Sequence, residues 1–253
     1  MATVAPKLEY PLNEAGRLAA IRRYDVLDTP PDGAFERVTR LAARLLGTPI
    51  AIVSIVDEDR IWFKSRYGLD VNQIDRDPGL CASAILQDEP WIVEDARNDP
   101  RTLANPLVAS KFGLQFYAGA PLKTQDGFNL GTLCVIDRQP RHVTEEERRV
   151  LVDLAAIVID ELELRLAARN VVAAADERLA LGRQREVQAM QLNDDVVQSL
   201  AVAKLALDMG EISQAASRVE SALEASKRLL SQMGEEALTL RRDSLQGGER
   251  ATA

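Results

Sequence analysis

Pro49-Ile-Ala-Ile-Val-Ser-Ile-Val56, then Asp57-Glu58-Asp59, then Arg60-Ile-Trp-Phe-Lys-Ser-Arg66 is the stretch on which the fold turns. The first run is rich in β-branched residues, the three acidic residues make a turn, and the second run returns as its hairpin partner. A second hairpin of the same kind follows later, from Gln115 to Lys123 and from Asn129 to Asp137, with Asp126-Gly127 between its arms. Trp91-Ile92-Val93 adds a short strand. About five strands joined mainly by hairpins predict a largely antiparallel sheet.

Helical patterns flank these strands. Asn13-Glu14 opens one that runs through Leu18, Ile21 and Leu27 and stops at Thr29-Pro30-Pro31. A second runs from about Asp32 to Leu46, where Phe35, Val38, Leu41, Ala42 and Leu45 recur at three and four, and Gly47 ends it. A short helix is expected around Leu80–Leu86. The first 166 residues are therefore read as an α+β unit, with 1–11 as an unstructured lead-in and 12–166 as the domain proper.

From Thr144 the pattern is helical only. Thr144-Glu-Glu-Glu147 is a capping box, and no proline follows it. One long helix is expected to about Met209, with Gly182 its weak point, then a turn at Gly210 and a second helix over 211–233. In that last helix Ile212, Ala216, Val219, Leu223, Ser226, Leu230 and Met233 are spaced alternately by four and three, which is a heptad. The preceding arm offers Leu192, Val196, Leu200, Ala203 and Leu207. A lone hairpin cannot cover such a face, so two copies pairing into a four-helix bundle is the expected outcome. Between the parts, residues 167–185 read as a connecting helix, 186–234 as the dimerisation hairpin and 235–253 as a disordered tail. Leu151, Val158, Val172 and Leu179, with Leu154 or Leu162, give the long helix a poorer seam that Arg165, Arg169 and Asp176 interrupt.

Composition excludes several classes. The chain is 46% apolar, 28% charged and only 4% aromatic, with a formal net charge of -8, and no basic cluster suggests nucleic acid. No stretch approaches the length of a membrane span, so no membrane partner is expected. Two cysteines, Cys81 and Cys134, are too few for a disulfide framework and fit a reducing cytoplasm.

Many short motifs occur in one order: Tyr24-Asp-Val-Leu-Asp-Thr-Pro-Pro31 with Ala34-Phe35, Val56-Asp57, Trp62-Phe63-Lys64-Ser65 and Leu80-Cys81-Ala-Ser-Ala-Ile85. Asp95-Ala96, Asp99-Pro-Arg101, Asn105-Pro-Leu-Val108, Phe116-Tyr-Ala-Gly-Ala-Pro-Leu122 and Gly131-Thr-Leu-Cys-Val-Ile-Asp137 continue the series. Together they resemble a GAF sensor domain of the kind found ahead of cyclases and histidine kinases. Residues 183–233 are similar to the dimerisation helices of one histidine-kinase class. In that class the phosphoacceptor histidine is followed by an acidic residue, three variable residues and Gln. Here Asn193 stands at the histidine position, with Asp194 and Gln198 retained.

The resemblance implies a small-molecule ligand, haem, a bilin or a cyclic nucleotide between the sheet and its covering helices, or an empty fold. Haem finds no axial ligand beyond His142, the only histidine, in a loop before the long helix. No His/Cys cluster has metal-ligand spacing. No cofactor is therefore expected, and a pocket would take a small molecule not identified by sequence. Ser54, Trp62, Lys64, Cys81, Tyr117 and Cys134 are its candidate lining. Cys81 near a helix start and Cys134 within a strand read either as small buried hydrophobes or as a redox pair.

Asn193 has no imidazole nitrogen to hold a phosphoryl group, and nothing after it reads as an ATP-binding kinase domain. The sequence thus predicts a cytoplasmic, homodimeric, non-catalytic sensor that relays a signal through a bundle unable to autophosphorylate. A response regulator or a histidine kinase is the partner class the resemblance implies. Two alternatives remain at this point. One is a response-regulator phosphatase, in which the resemblance implies that the Gln198 amide orients the attacking water beside Asp194. The other is a ligand-free dimerisation scaffold.

Overall fold

The computed structural model describes residues 10–77, 79–103, 105–228 and 231. Chain contacts divide it into two units, Met1–Asn170 and Val171–Ala253.

In the first unit α1 (Glu14–Tyr24) and α2 (Gly33–Leu45) precede β1 (Ile50–Val56), β2 (Arg60–Tyr67) and β3 (Gln73–Asp75). Then come α3 (Leu80–Ala84), β4 (Trp91–Val93), α4 (Pro106–Ala109), β5 (Phe116–Lys123), β6 (Asn129–Asp137) and the start of α5 (Glu145–Asp208). Six strands, one more than the sequence suggested, form a sheet in the order β3-β2-β1-β6-β5-β4, and every neighbouring pair is antiparallel. The extra strand, β3, is three residues long with only Ile74 half-buried, too short to show a period.

The opening stretch lies at the centre of this sheet. Every residue of β1 is buried because both faces of the strand are covered, so its apolar run does not alternate. Ala51, Val53 and Ile55 face a layer built from α1, α2 and α5, where Ile21, Phe35, Val38 and Ala42 pack with Leu151, Leu154, Val158 and Leu162. Ile50, Ile52 and Val56 face the opposite layer with Phe63, Leu80, Cys81, Tyr117 and Cys134. Gly131 of β6 is required by close approach, since a Cβ there would lie 1.9 Å from the Ser54 carbonyl oxygen.

Helix ends follow local chemistry. The Asn13 side chain accepts from the Gly16 N–H at 3.0 Å, and α1 ends at Asp25 in the left-handed region, before Leu27. The Asp32 carboxylate accepts from the Ala34 N–H and caps α2. The capping box forms as read: Thr144 N–H donates to Glu147 at 2.8 Å and Glu147 N–H to Thr144 Oγ1 at 3.2 Å.

Helix α5 spans 64 residues and is unbroken at Gly182. Its first turns are not the coiled-coil seam suggested by spacing. Leu151, Leu154, Val158 and Leu162 are instead spent on the core beneath the sheet.

In the second unit, α5 closes on Gly210, whose φ is 79°. The Glu211 N–H reaches Ala206 O at 2.9 Å and the Gly210 N–H reaches Leu207 O at 3.0 Å, which is a Schellman stop. A further helix, α6, covers 212–228. Ala203 and Ala206 on one arm and Ala215, Ala222 and Ala225 on the other are buried, so small side chains fill the hairpin's internal seam. The expected heptad points elsewhere. Ile212 is 72% exposed and Leu223 53%, roughly a quarter turn from the alanines at 100° per residue. Leu230 and Met233, the C-terminal tail and most of the N-terminal lead-in lie outside the described residues.

Candidate functional site

Strand alternation divides the six candidate lining residues between the two faces of the sheet. Ser54, Cys81, Tyr117 and Cys134 come together on the face covered by α3 and α4. Trp62 and Lys64 sit on the other, under α2. Spacing reveals the alternation within each strand but not which layer a given parity meets.

The Lys64 face is built around one carboxylate. Lys64 on β2 is only 4% exposed, and its Nζ donates to Thr29 Oγ1 at 2.8 Å and to the Pro30 carbonyl at 2.9 Å. It pairs with Asp32 at 2.9 Å, while Arg165 of α5 reaches both oxygens of the same carboxylate at 2.8 and 2.9 Å. Both cations also lie over the Phe35 ring, at 5.3 Å for Lys64 and 4.7 Å for Arg165.

The whole α1–α2 connection is gripped in this way. Arg169 bonds Asp25 and the Arg23 and Tyr24 carbonyls, and the Tyr24 hydroxyl donates to Glu163 at 2.6 Å. Burial, then that bond to Glu163, pushes the Tyr24 phenol up to about 12. Arg165 and Arg169, which interrupt the heptad in the sequence, are therefore the residues that hold α5 to the Tyr24–Asp32 segment. A cavity of about 530 Å³ opens among these groups, lined by Tyr24, Val26, Pro30, Leu162, Arg165 and Arg169 among others. A second, wider groove of about 980 Å³ lies alongside, between Asp28–Pro31 and Trp62–Leu69.

The electrostatics give this joint a pH dependence. Burial raises the Asp32 carboxyl, but the bonds from Arg165 and Lys64 outweigh it and hold the group well below the usual carboxylate range. A carboxyl depressed in the folded state adds stability above its unfolded pKa, about 3.9, and that contribution is lost as pH falls toward and through the folded value. Asp32→Asn is therefore expected to cost on the order of 2 kcal/mol at pH 7. The difference from the unaltered protein should shrink steadily below about pH 4. Urea unfolding at a series of pH values checks both points.

On the opposite face the polar groups form a buried cluster. Ser54 Oγ lies 3.0 Å from Thr132 Oγ1, Tyr117 OH lies 3.4 Å from the same atom, and Cys81 Sγ stands 3.8 Å from Cys134 Sγ. Trp91 meets the Tyr117 ring edge-on at 5.5 Å and closes one side. Phe63, Ile52 and Ile136 belong to the same apolar cluster.

Along α5, Asn193, Asp194 and Gln198 are exposed, with the last two one turn apart. Of the residues read as a dimer face, Leu200, Leu207, Ile212, Val219 and Leu223 are exposed. Leu192 and Val196 are half-buried, and Ala203 belongs to the internal alanine seam. Among the described residues no cluster of His, Cys, Asp or Glu could hold a metal ion, and no helix is long and apolar enough to cross a membrane.

Comparison with known proteins places these features. A cyclic di-GMP phosphodiesterase of Pseudomonas aeruginosa is 42% identical over 151 residues, which is 59% of this chain and 26% of that protein. The chain thus spans about a quarter of the length of that curated relative. Among solved structures, the GAF domain of an Acinetobacter phosphoenolpyruvate-protein phosphotransferase is 19% identical with a TM-score of 0.44, covering 64% of this chain and 96% of that one. The free methionine-R-sulfoxide reductase of Neisseria meningitidis is 17% identical with a TM-score of 0.45, covering 65% and 99%.

One expectation is overturned by these findings. The sequence alone led to a chain that is not an enzyme, yet the curated relative sharing this segment is itself named an enzyme. The absence of a phosphoacceptor excludes one chemistry at one position and was wrongly extended to the whole. A family model for the GAF domain matches residues 30–162, just over half of the sequence, and the chain belongs to that family.

Proposed function

We propose that this protein is a signalling sensor in which the GAF unit is the input and the helical hairpin, paired with that of a second copy, is the output. The observation that carries this reading is α5 itself. One unbroken helix supplies Leu151, Leu154, Val158 and Leu162 to the core of the sensor and later forms the first arm of the hairpin. A change in how the sheet and the Tyr24–Asp32 segment hold the helix is then a change in the helix that reaches the output. Asp32 is the natural point of transfer, because its one carboxylate joins Lys64 on the sheet to Arg165 on α5.

The bundle is similar to histidine-kinase dimerisation helices, and its partner by that likeness is a response regulator or a histidine kinase. The curated relative suggests a second class of listener, an enzymatic domain for cyclic di-GMP whose output the sensor would set. In either case the device needs two arrangements of packed helices that the sensor biases differently.

The test is hydrogen exchange on the full chain. Arg165→Ala removes the grip on Asp32 while leaving Lys64 in place, so the sensor should keep its fold. Coupling of ordinary size, about 1 kcal/mol or more, should change exchange rates of amides in 192–223 by roughly fivefold. Unchanged exchange there, with faster exchange confined to the Tyr24–Asp32 segment, would mean that Arg165 only anchors a loop.

A further inference from the structure

The two cysteines of the chain are 53 positions apart in sequence, yet their sulfurs stand 3.8 Å apart inside the sensor unit. We propose that Cys81 and Cys134 are a peroxide-reactive thiol pair that closes to an internal disulfide between α3 and β6.

The argument rests first on geometry. Cys81 lies in the first turn of the short helix α3, which packs on the sheet, and Cys134 lies in the central strand β6 opposite Ile52. Bond formation shortens the sulfur separation to about 2.05 Å, and the two side chains already face each other. No other thiol exists in the chain to compete for either partner.

The surroundings supply the second line of support. The hydroxyls of Ser54, Thr132 and Tyr117 bond one another and interact with Cys81. A cluster of buried hydroxyls beside two thiols is more polar than packing requires, and it offers donors to a thiolate. The hydrogen bond from Cys134, with help from Ser54, Thr132 and Tyr117, pulls the Cys81 thiol down to about 6 against the opposing effect of burial. The same partner relation pushes Cys134 up, so the pair holds one proton firmly and releases the other readily.

Both cysteines are buried, and as residues they differ only slightly in exposure. Cys81 is 5% exposed and Cys134 is completely buried. Cys81 lies on the short covering helix α3 and Cys134 inside the central strand β6, so the thiol drawn toward the thiolate is the one outside the sheet, which assigns their roles. The Cys81 thiolate attacks one oxygen of a hydroperoxide, the O–O bond breaks, and the departing oxygen leaves as water or alcohol after taking up a proton. Cys81 is then a sulfenic acid. The Cys134 sulfur attacks Cys81 Sγ, the S–O bond breaks, and the oxygen leaves as a second water. Two thiols lose two hydrogens in total, and the hydroperoxide is reduced by two electrons.

A bond there ties α3 to β6, the strand next to β1 at the sheet's centre. The consequence is a sensor face whose position depends on the oxidation state of the cell.

Treatment of the full, reduced chain with a small excess of hydrogen peroxide tests this. The expected product is a chain not covalently joined to another and lighter by two hydrogens, with a Cys81–Cys134 linked peptide after non-reducing digestion. Cys134→Ser should stop at a Cys81 sulfenic acid that dimedone captures, and Cys81→Ser should slow peroxide consumption at least about tenfold. Circular dichroism establishes that both near-isosteric variants are folded. Two free thiols after peroxide in the unaltered protein, a linkage only between chains, or dimedone capture on Cys134 in Cys81→Ser at the rate of the unaltered protein would each overturn the proposal.

Discussion

Arg17→Ala is expected to lower the free energy of unfolding by about 3–5 kcal/mol, the cost of breaking a buried ion pair from one side. Arg17 is 1% exposed, among the largest fully buried side chains of the described residues. Its guanidinium holds the Glu14 carboxylate through two bonds of 2.7 Å and donates to the Val56 and Leu130 carbonyls, where β1 ends and β6 begins. Arg76, also buried, bonds Glu14 from β3's end at 2.6 Å. Burial raises the Glu14 carboxyl, but the two arginines together hold it below its ordinary value.

Removing Arg17 therefore leaves Glu14 half-matched and takes a donor away from two buried carbonyls. Arg23→Ala makes the contrast. It breaks the exposed pair with Asp126 and should cost less than about 1 kcal/mol. Urea unfolding followed by tryptophan fluorescence, with Trp62 and Trp91 both in the sensor core, measures each value.

Leu223→Asp is expected to turn a dimer into a monomer while the helices remain. The side chain is about half exposed within one protomer, so its own hairpin loses little packing when it changes. In the paired state each copy would bury this position, and two carboxylates would enter an apolar seam. Losing the burial of two leucines costs about 3–6 kcal/mol per dimer, which raises the dissociation constant at least about a hundredfold. Sedimentation velocity over a concentration series reads the shift, and far-UV circular dichroism should be unchanged. A variant that unfolds the hairpin instead would place Leu223 inside the protomer's own packing.

Why some of this was legible in the sequence and some was not has physical causes. The hairpins of β1–β2 and β5–β6 were legible because their turns carry acidic residues and Gly127, and their arms are long enough to show strand chemistry. The capping box at Thr144 and the stop at Gly210 were equally plain, since each depends on residues adjacent in sequence.

Tertiary demands were harder to see. Leu151, Leu154, Val158 and Leu162 fit a coiled-coil period and a core-facing helix equally well, and only the sheet decides between them. The arginines that break the heptad are the ion-pair partners of Asp25 and Asp32, a role invisible until those loops are folded against α5. In the hairpin, alanines make the internal seam because small side chains let two arms approach, and hydrophobicity alone ranks them below the larger residues left outside. The lining set failed to stay together for a simpler reason: adjacent parities of a strand point to opposite layers.

The bearing of this on function is that the output helix has two different apolar dependencies. Its first turns are satisfied inside the sensor, whereas Leu200 and Leu207 on α5 and Ile212, Val219 and Leu223 on α6 remain uncovered in one chain. In the proposed reading a second copy covers these stripes, because each arm carries the same kind of face.

Light scattering of the unaltered protein after size-exclusion chromatography addresses this most directly. The account expects a mass twice the 27.8 kDa of one chain, held across micromolar concentrations. A mass of 27.8 kDa at tens of micromolar, with the helices intact, would contradict it.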